Sequence, residues 1–413
     1  MTQAQLSRNA DISGKTYDPL DPAVQQNPYP YYTKLRHEAP VKWIASLQVF
    51  AVADYDNVDA LLKNGRLYSS AQFWPELLGE YDPVPEVPPM ISMDPPNHMH
   101  LRKIANKAFT PTKVAALQQR ATDIANQLID DLIAKYGEEG ECDWVWDFTA
   151  LFPVTVIGDV LGVPTERRAE FKVWVDDLLS AANRAAYGPE RLARIRKHSD
   201  ELRAFFEDIY DQRVDNLGDD IISTLIQAEV NGERLTRHEV LCMSVLLLIG
   251  GVETTTNLLG STLVALHEHP DVYERVRADH NLIPALLEEV LRFNPPVQMI
   301  FRHTTEDTEL GGVAIPKGAA IMPLLASANR DETKFANSEV FDIDRKIEVP
   351  LMSFGQGPHF CLGNFLSRME ARKALEVAFS RLEVLTPLPG EVHWLESYFA
   401  RGPHELRVRY KAR

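Results

Sequence analysis

Hydrophobic residues recur every three or four positions over much of the chain, the spacing of one face of an α-helix. The pattern is clearest over 112–134, 153–161, 166–182 and 191–214. A shorter amphipathic stretch ends at His37. The spacing therefore predicts a mainly helical region that runs from Pro96 to about Leu266.

Shorter apolar runs predict a smaller β-rich part. Residues 43–54 are apolar and β-prone, and the glycine turn signals at 311–312 and 317–318 separate short runs after them. Residues 73–93 contain five prolines among large apolar side chains, which predicts a long loop of the kind that is often functional. The predicted fold class is mainly α with a smaller β-rich part.

One helix in the middle of the chain stands out by its length. Thr236 and Glu239 have the spacing of a capping box, and no proline follows until Pro270. The helix should therefore run for about 30 residues, or ~45 Å. Because it is apolar nearly all round over 245–249, we expect it to cross the core.

The middle of this helix contains poor helix formers. Gly250 and Gly251 each cost roughly 1 kcal/mol relative to alanine, and β-branched residues follow them. Close helix packing explains the glycines equally well. A buried carboxylate at Glu253 must be paired, solvated or protonated, and beside Thr254 it could relay protons.

The stretch 354–363, Phe-Gly-Gln-Gly-Pro-His-Phe-Cys-Leu-Gly, carries the most specific chemistry. Its glycines and proline predict a tight loop, whose amides, with the helix predicted over 364–382, would stabilise the thiolate of Cys361. A buried structural cysteine and a catalytic nucleophile remain open alternatives. His359 lies too close for usual zinc spacing, and Phe360 occupies the third glycine position of a dinucleotide loop.

Composition narrows the class of protein. The chain has 413 residues, 45% of them hydrophobic, and a net charge of −16, which is typical of a soluble globular protein and argues against a nucleic-acid binder. Length alone would suggest two or three domains. Three distant cysteines indicate a reducing cytoplasm rather than a disulfide framework. The polar N-terminus and the short apolar run at 245–252 predict neither a signal peptide nor a membrane anchor.

The cysteine loop resembles the haem-binding loop of the cytochrome P-450 family, in which a cysteine thiolate ligates the iron. Three further motifs occur in that family's order: the oxygen-activation signature at 250–254, the Glu-x-x-Arg helix at 289–292, and the propionate-binding segment at 94–98 with Arg102. Residues 27–30 and 341–345 are similar to soluble bacterial members. Because motifs so far apart must meet at one haem, the resemblance implies a single domain over 1–413, with the central helix crossing over the haem.

The resemblance also implies roles for individual residues. Cys361 would be the axial ligand of haem b, shielded by Phe354. The other cofactor-binding residues would be the loop glycines and the propionate partners, namely Gly355, Gly363, His98, Arg102, Arg302 and His359. His100 stands where the family often has arginine. A buried ion-pair network of Glu289, Arg292 and Arg345 would support the fold.

The implied reaction is insertion of one oxygen atom from O2 into a substrate C–H bond. Gly250 and Gly251 would open a groove for O2, Thr254 would hydrogen-bond the bound oxygen, and Glu253 would supply protons, although the family more often has aspartate there. A peroxide-using or oxygen-independent member, and a non-catalytic haem sensor or carrier, are the alternatives. The acid–alcohol pair argues against both.

The substrate pocket is expected to be apolar. The residues expected to line it are the 73–91 loop including Phe73, then Leu247, Val297, Met299, Ile300, Tyr398 and Phe399, with Gln298 and Ser397 as polar contacts. This set predicts a lipophilic, mostly uncharged substrate such as a terpenoid, a steroid or a macrolide-like compound.

Electrons must come from a separate protein, because no flavin or nicotinamide domain is present. We expect a ferredoxin-type donor with its own reductase, and a monomeric enzyme in the cytoplasm. The basic residues that could form its docking patch are Lys103, Lys107, Lys113, Arg368, Arg372 and Lys373. A solvated helix face explains these charges equally well.

Overall fold

The computed structural model describes residues 15–163, 167–218, 220–230 and 233–413. The helices are α1 (Pro22–Gln26), α2 (Tyr29–Glu38), α3 (Tyr55–Lys63), α4 (Phe73–Leu78), α5 (Asn97–Ala108), α6 (Pro111–Ala116), α7 (Gln118–Tyr136), α8 (Leu151–Leu161), α9 (Arg168–Ser180), α10 (Pro189–Val214), α11 (Ile221–Gln227), α12 (Arg237–Glu268), α13 (Pro270–Ala278), α14 (Ile283–Phe293), α15 (Leu325–Ala328) and α16 (Asn364–Arg381). The strands are β1 (Val41–Ile44), β2 (Val49–Val52), β3 (Tyr68–Ser69), β4 (Glu139–Asp143), β5 (Glu229–Val230), β6 (Glu233–Arg234), β7 (Arg302–Thr304), β8 (Thr308–Leu310), β9 (Val313–Ile315), β10 (Ala320–Pro323), β11 (Leu382–Pro387) and β12 (Arg407–Ala412).

The central helix α12 has the length and the start that the sequence predicts. It spans 32 residues, and both halves of its capping box are formed. The backbone N–H of Thr236 donates to the Glu239 carboxylate at 2.8 Å, and the Glu239 N–H donates to the Thr236 hydroxyl at 3.3 Å. These bonds satisfy amides that the first helical turn leaves without partners.

Helix α12 lies at the centre of the helical layer, where it packs against α8, α9, α10, α14 and α16. Its length and hydropathy would suit a membrane span, but 72% of its most apolar window is buried inside the protein. It is a core helix whose apolar circumference is covered by neighbouring helices.

The β-rich part contains a five-stranded sheet in the order β1-β2-β10-β7-β3 and a three-stranded sheet in the order β11-β12-β4. The predicted strands at 43–54 are present as the antiparallel pair β1 and β2. β10 pairs in parallel with β2 and antiparallel with β7, the strand that begins at Arg302. Two small hairpins, β5-β6 and β8-β9, complete the strands of the described residues.

The prediction of a long loop over 73–93 is wrong in part. Residues 73–78 form helix α4, and short 3-10 turns follow at Gly79–Tyr81 and Met90–Ser92. Pro75 is tolerated because it lies in the first helical turn, where a backbone N–H has no helical partner. Burial of the apolar side chains then favours the helix, since Leu77 and Leu78 are at most 1% exposed.

The helix predicted over 112–134 is also corrected. It is two helices, α6 and α7, separated at Leu117. The helices predicted over 153–161 and 191–214 are present, each beginning two residues earlier than predicted.

Candidate functional site

The cysteine loop is closed by its own backbone. The N–H of Cys361 donates to the carbonyl of Phe354 at 2.9 Å, and the next helix, α16, begins at Asn364. Gly355 and Gly357 have φ angles of +67° and +68°, which favour glycine. A Cβ on Gly357 would also lie 2.4 Å from the carbonyl oxygen of Leu62, so the loop needs glycine for close packing.

The surroundings of Cys361 act on its thiol in two directions. Burial raises its pKa, while the backbone N–H of Gly363 and the guanidinium groups of Arg102 and Arg368 lower it, and the net shift is upward. Donors and positive charge are what a thiolate needs. Arg368 also lies 4.2 Å from the ring centre of Phe354, which fixes that ring beside the loop.

The other two cysteines differ from Cys361. Cys142 and Cys242 are buried free thiols, and burial raises the pKa of Cys142 to about 12. Neither lines the cavity into which Cys361 opens. Of the three cysteines, Cys361 alone therefore has the setting of a metal ligand.

A cavity of about 280 Å³ lies between the cysteine loop and α12. A Cβ added to Gly250 or Gly363 would meet no atom within 4 Å, so both glycines leave open space. A Cβ on Gly251 would lie 3.2 Å from the side chain of Ile157. The two explanations of the glycine pair thus apply to one residue each: Gly250 opens the cavity, and Gly251 permits close packing of α8.

Four cationic or titratable side chains line one end of this cavity, namely His98, Arg102, Arg302 and His359. The rings of His98 and His359 are 4.0 Å apart, and both ring nitrogens of His98 are buried without a hydrogen-bond partner. Burial, with smaller effects from the neighbouring cations, lowers the pKa of His359 to about 3. Burial lowers that of Arg302 to about 10, because Asp94 only partly offsets it.

This cluster fits a group with two carboxylates. Arg302 donates to the carbonyl of its neighbour Phe301 at 2.7 Å, and Arg102 donates to the carbonyl of Phe360 at 2.6 Å. Buried donors with unused capacity favour anionic acceptors, which form short charge-assisted hydrogen bonds. The residues present therefore fit the propionates of a haem whose iron faces Cys361.

The acid–alcohol pair on α12 is held by two different contacts. The hydroxyl of Thr254 donates to the carbonyl of Gly250 at 2.8 Å. The carboxylate of Glu253 is 3.0 Å from Lys172 Nζ and accepts from Asn257 Nδ2 at 3.0 Å. Glu253 is 4% exposed, so its buried charge is paired, as its position in the helix requires.

Asp176 joins this pair through a second contact with Lys172. Burial raises the pKa of Asp176, and Lys172 only partly offsets the effect. Burial acts in the same direction on Glu253, but Lys172, Asp176 and Asn257 together lower its pKa. These shifts favour the charged form of Glu253 and the protonated form of Asp176, whose side chain is 24% exposed.

Sequence analysis did not identify Lys172 and Asp176. They lie on α9, about eighty positions from Glu253, and only the fold brings them together. The one signal was the four-residue spacing of Lys172 and Asp176, which places both on one face of α9. Glu370 was also missed: it is 2% exposed, lines the cavity, and is hydrogen-bonded to Thr255, while burial raises its pKa well above the usual value.

The predicted ion-pair network is formed. Arg292 makes a two-point contact with Glu289, at 2.7 and 2.8 Å, and both side chains are at most 2% exposed. Arg345 lies 3.4 Å from the same carboxylate. Arg292 also donates to the carbonyls of Asn329 and Ser338, which fixes the chain that leads to the cysteine loop.

The far side of the cavity is apolar and aromatic. The residues that line it there include Phe73, Trp74, Leu77, Leu179, Leu246, Leu247, Val297, Ile300 and Phe399. They come from α4, α9, α12 and two loops, and no charged side chain is among them. Five of the nine pocket residues named in the prediction are thus brought together.

Four predicted pocket contacts are wrong. Met299 is fully buried in the core and does not line the cavity. Gln298 donates to the carbonyl of Pro295 at 2.7 Å, and the Ser397 hydroxyl accepts from two nearby amides. Tyr398 points away and donates to the carbonyl of Ala182 at 3.2 Å. Local backbone partners thus take up these polar groups, and the cavity is less polar than predicted.

The predicted basic patch is weaker than its composition suggests. Arg368 pairs with Glu288, while Arg372 and Lys373 both pair with Glu376. Lys103 is exposed and has no ion-pair partner among the described residues. The side chains of Lys107 and Lys113 lie outside the described part of the chain.

Comparison with known families identifies the class of protein that this site defines. The family model for cytochrome P-450 matches residues 22–397. The chain therefore belongs to the cytochrome P-450 family and is a monooxygenase of the bacterial type, as its motifs predict.

Particular relatives place the chain within that family. It is 38% identical to the cytochrome P-450 CYP109Q5 from Chondromyces apiculatus. The match covers 96% of this chain and 99% of that one, and the two structures superpose with a TM-score of 0.87. For CYP109E1 from Bacillus megaterium in complex with testosterone, the identity is 36%, the coverage 94% and 99%, and the TM-score 0.82. The vitamin D(3) 25-hydroxylase of Pseudonocardia autotrophica is 35% identical over 93% of this chain and 94% of its own length. The predicted fold is confirmed.

Proposed function

We propose that this monooxygenase inserts one oxygen atom from O2 into a neutral, rigid, lipophilic molecule of the steroid class. The observation that carries the proposal is the part of the cavity lined by α4 and by the loops around Val297 and Phe399, where the described lining residues are apolar and aromatic. A carboxylate-bearing substrate would find no partner there and would pay a desolvation cost. Two similar proteins, a vitamin D(3) 25-hydroxylase and a protein crystallised with testosterone, support this class.

The cofactor we propose is haem b. Cys361 would ligate the iron, Phe354 would cover the thiolate, and the propionates would lie against the buried cluster of His98, Arg102, Arg302 and His359. When bound, the haem supplies O2 activation and the transfer of oxygen to carbon. The protein supplies the ligand, the shape of the cavity and the protons.

Proton supply follows from the contacts on α12. Thr254 donates to Gly250, so its oxygen keeps free lone pairs on the cavity side and can accept a hydrogen bond there. Asp176, whose pKa burial raises, lies beside the Lys172–Glu253 pair, and its partial exposure allows proton exchange with solvent. We infer that protons pass from Asp176 to Glu253 and from there to Thr254.

A coupling assay tests this path. In Thr254→Ala, less product should form per electron consumed, because the last proton carrier is lost. Unchanged coupling would instead support a peroxide-using or oxygen-independent reaction. Absence of turnover with any electron donor would support a haem carrier.

The substrate class is tested by titration of the haem-loaded protein with testosterone, cholecalciferol, palmitate and erythromycin. A spin-state shift of the haem absorption reports ligand that enters the space next to the iron. We expect testosterone and cholecalciferol to give shifts and palmitate to bind weakly, because the wall offers its carboxylate no cation. Tighter binding of palmitate or erythromycin than of both steroids would refute the substrate class.

Electrons would come from a separate ferredoxin-type donor, with a monomeric enzyme in the cytoplasm. The face of the enzyme on which this donor docks would be near Lys103 on α5, since α5 also carries Arg102 beside the cysteine loop. Lys103→Glu should lower the rate of reduction by an acidic ferredoxin and reduce its salt dependence. Lys317→Glu, in the exposed turn between β9 and β10, is the matched control and should leave the rate unchanged. Equal rates for both variants would exclude this face.

A further inference from the structure

The chain between β4 and α8 makes one turn of π-helix, Val145–Thr149. The N–H of Ala150 donates to the carbonyl of Val145 at 2.9 Å, which is the five-residue step that defines such a turn. The turn packs against α7, α8 and α12. Because π-helical turns are rare and often occur at functional sites, the side chain that this one directs outward is a candidate for a role in the reaction.

That side chain is Trp146, which faces away from its buried neighbours. Trp144 and Phe148 are each 1% exposed, and their rings are stacked at a distance of 4.2 Å. Trp146 lies between them in sequence and is 38% exposed. The centre of its ring is 5.6 Å from Lys172 Nζ on α9. Trp146 therefore lies over the solvent side of the buried Lys172–Glu253 pair.

Lys172 is buried although it belongs to a helix at the surface. It is 4% exposed, whereas the next residue, Val173, is 41% exposed. Lysine side chains ordinarily extend their ammonium group into water. Two carboxylates hold this one inside, since Nζ is 3.0 Å from Glu253 and also donates to Asp176. An ammonium group has three N–H bonds, and the third can meet the negative face of the Trp146 ring.

The π-helical turn is itself fixed, which holds Trp146 in place. The carboxylate of Asp147 accepts from the backbone N–H of Asp143 and from the hydroxyl of Tyr136, both at 3.1 Å. Asp143 in turn accepts from the N–H of Val145 at 3.0 Å. These bonds restrain the residues on both sides of Trp146.

We propose that Trp146 is a positioning residue that holds the Lys172 ammonium group between Glu253 and Asp176. The proposal rests on the proton path of the proposed function, in which these two carboxyl groups are carriers. Without the ring, the lysine side chain can turn outward into water and leave Glu253 without its cation. Trp146 is not among the described residues that line the cavity, so it acts on the reaction only through Lys172.

Acetylation of lysines in the haem-loaded protein tests the position of the ammonium group without substrate. Treatment with N-acetoxysuccinimide and peptide mass spectrometry give the labelling rate of Lys172 relative to Lys197, whose side chain is 67% exposed. Trp146→Leu removes the aromatic face, and Trp146→Phe keeps a smaller one. Tyr136→Leu is the matched control, because Tyr136 has the same 38% exposure and its ring centre lies 4.7 Å from Lys135 Nζ.

We expect Trp146→Leu to raise the relative labelling of Lys172 about fivefold, the effect of losing one cation–π contact. Trp146→Phe should give an intermediate rate, and Tyr136→Leu should leave the labelling of Lys172 unchanged. Labelling in Trp146→Leu that matches the parent protein would overturn the proposal. Equal acceleration in Tyr136→Leu would also overturn it, because it would indicate a general loosening of this region.

The coupling of electron consumption to product shows whether this position matters for the reaction. Trp146→Leu should form less product per electron from testosterone, while the dissociation constant of testosterone, measured by the spin-state shift, should stay unchanged. Trp146→Phe should recover most of the coupling, and Tyr136→Leu should match the parent protein. Unchanged coupling in Trp146→Leu, or a loss that phenylalanine does not recover, would contradict the positioning role.

The two measurements separate failure of this proposal from failure of the proposed function. If Thr254→Ala leaves the coupling unchanged, the proton path fails, and acetylation still decides whether Trp146 holds Lys172. If testosterone gives no spectral shift even in the parent protein, the substrate class fails, and acetylation again decides the role of Trp146.

Discussion

Replacing Lys172 with methionine should destabilise the protein strongly and in a pH-dependent way. Lys172 is 4% exposed and is the cation that faces both Glu253 and Asp176. Methionine keeps most of the side-chain volume but leaves the buried Glu253 and the partly buried Asp176 without this positive partner. Removing one partner of a buried ion pair costs about 3–5 kcal/mol.

The pH dependence follows from the carboxyl groups that remain. In the variant, burial and mutual repulsion raise both pKa values above those of the unfolded chain. The folded state then binds more protons than the unfolded state above about pH 4, so stability falls as pH rises. In the parent protein, the pH dependence that Glu253 contributes has the opposite sign. Its lowered pKa contributes stability near neutral pH, and this stability is lost on acidification.

Urea titration, followed by tryptophan fluorescence at pH 6 and pH 8, measures the effect. We expect the loss of unfolding free energy to be about 3–5 kcal/mol at pH 8 and clearly smaller at pH 6. The control is Lys135→Met: Lys135 pairs with Asp147 at 2.9 Å but is 60% exposed, so its loss should stay within about 1 kcal/mol. A loss for Lys172→Met that equals the control, or that does not depend on pH, would refute the ion-pair account.

Three further predictions test other parts of the site. Gly250→Ala should raise the thermal midpoint of unfolding slightly, because helix propensity improves by about 1 kcal/mol and the new Cβ meets no atom within 4 Å. Gly251→Ala should lower the midpoint, because its Cβ would lie 3.2 Å from the side chain of Ile157. Equal midpoints for the two variants would contradict this distinction. Met299→Ala should cost about 2–5 kcal/mol in urea titration and leave the ranking of ligands unchanged, and a reversed ranking would return Met299 to the pocket. Arg302→Met should stabilise the haem-free protein and speed the transfer of haem to apomyoglobin, because Asp94 offsets only part of the cost of burying the guanidinium until the propionates arrive; slower transfer would exclude this role.

Local sequence signals predicted the parts of the fold that depend on neighbouring residues. The capping box of Thr236 and Glu239 and the absence of proline before Pro270 predicted α12 because caps and helix breakers act within one turn. The glycines around Cys361 predicted a tight loop for the same reason, and two of them have the positive φ that requires glycine. Where family motifs were added, the Glu289–Arg292 pair followed from its three-residue spacing.

Tertiary contacts explain what the sequence did not predict. Pro75 and its neighbours indicated a loop, but burial of Leu77 and Leu78 and the contact with Arg184 favour a short helix there. Met299 was assigned to the pocket from its neighbours, although which side of an irregular segment faces a cavity depends on the surrounding fold. The partner of Glu253 lies about eighty positions away on α9, beyond the reach of any local pattern.

The charges of the proposed docking face likewise show that sequence alone does not predict tertiary contacts. Arg368, Arg372 and Lys373 are positive in sequence, but their carboxylate partners come from the same helix or from α14. Composition counts charges, whereas only the structure shows which of them are already paired.

The most direct test of the central claim is the carbon monoxide difference spectrum of the reduced, haem-loaded protein. If Cys361 is the axial ligand, the parent protein should give the long-wavelength Soret band of thiolate-ligated haem, and Cys361→His should give the band of histidine ligation with haem still bound. Cys142→Ser is the matched control and should keep the thiolate band, because Cys142 is buried away from the cavity. A histidine-type band in the parent protein, or a thiolate band that persists in Cys361→His, would contradict the assignment of this site.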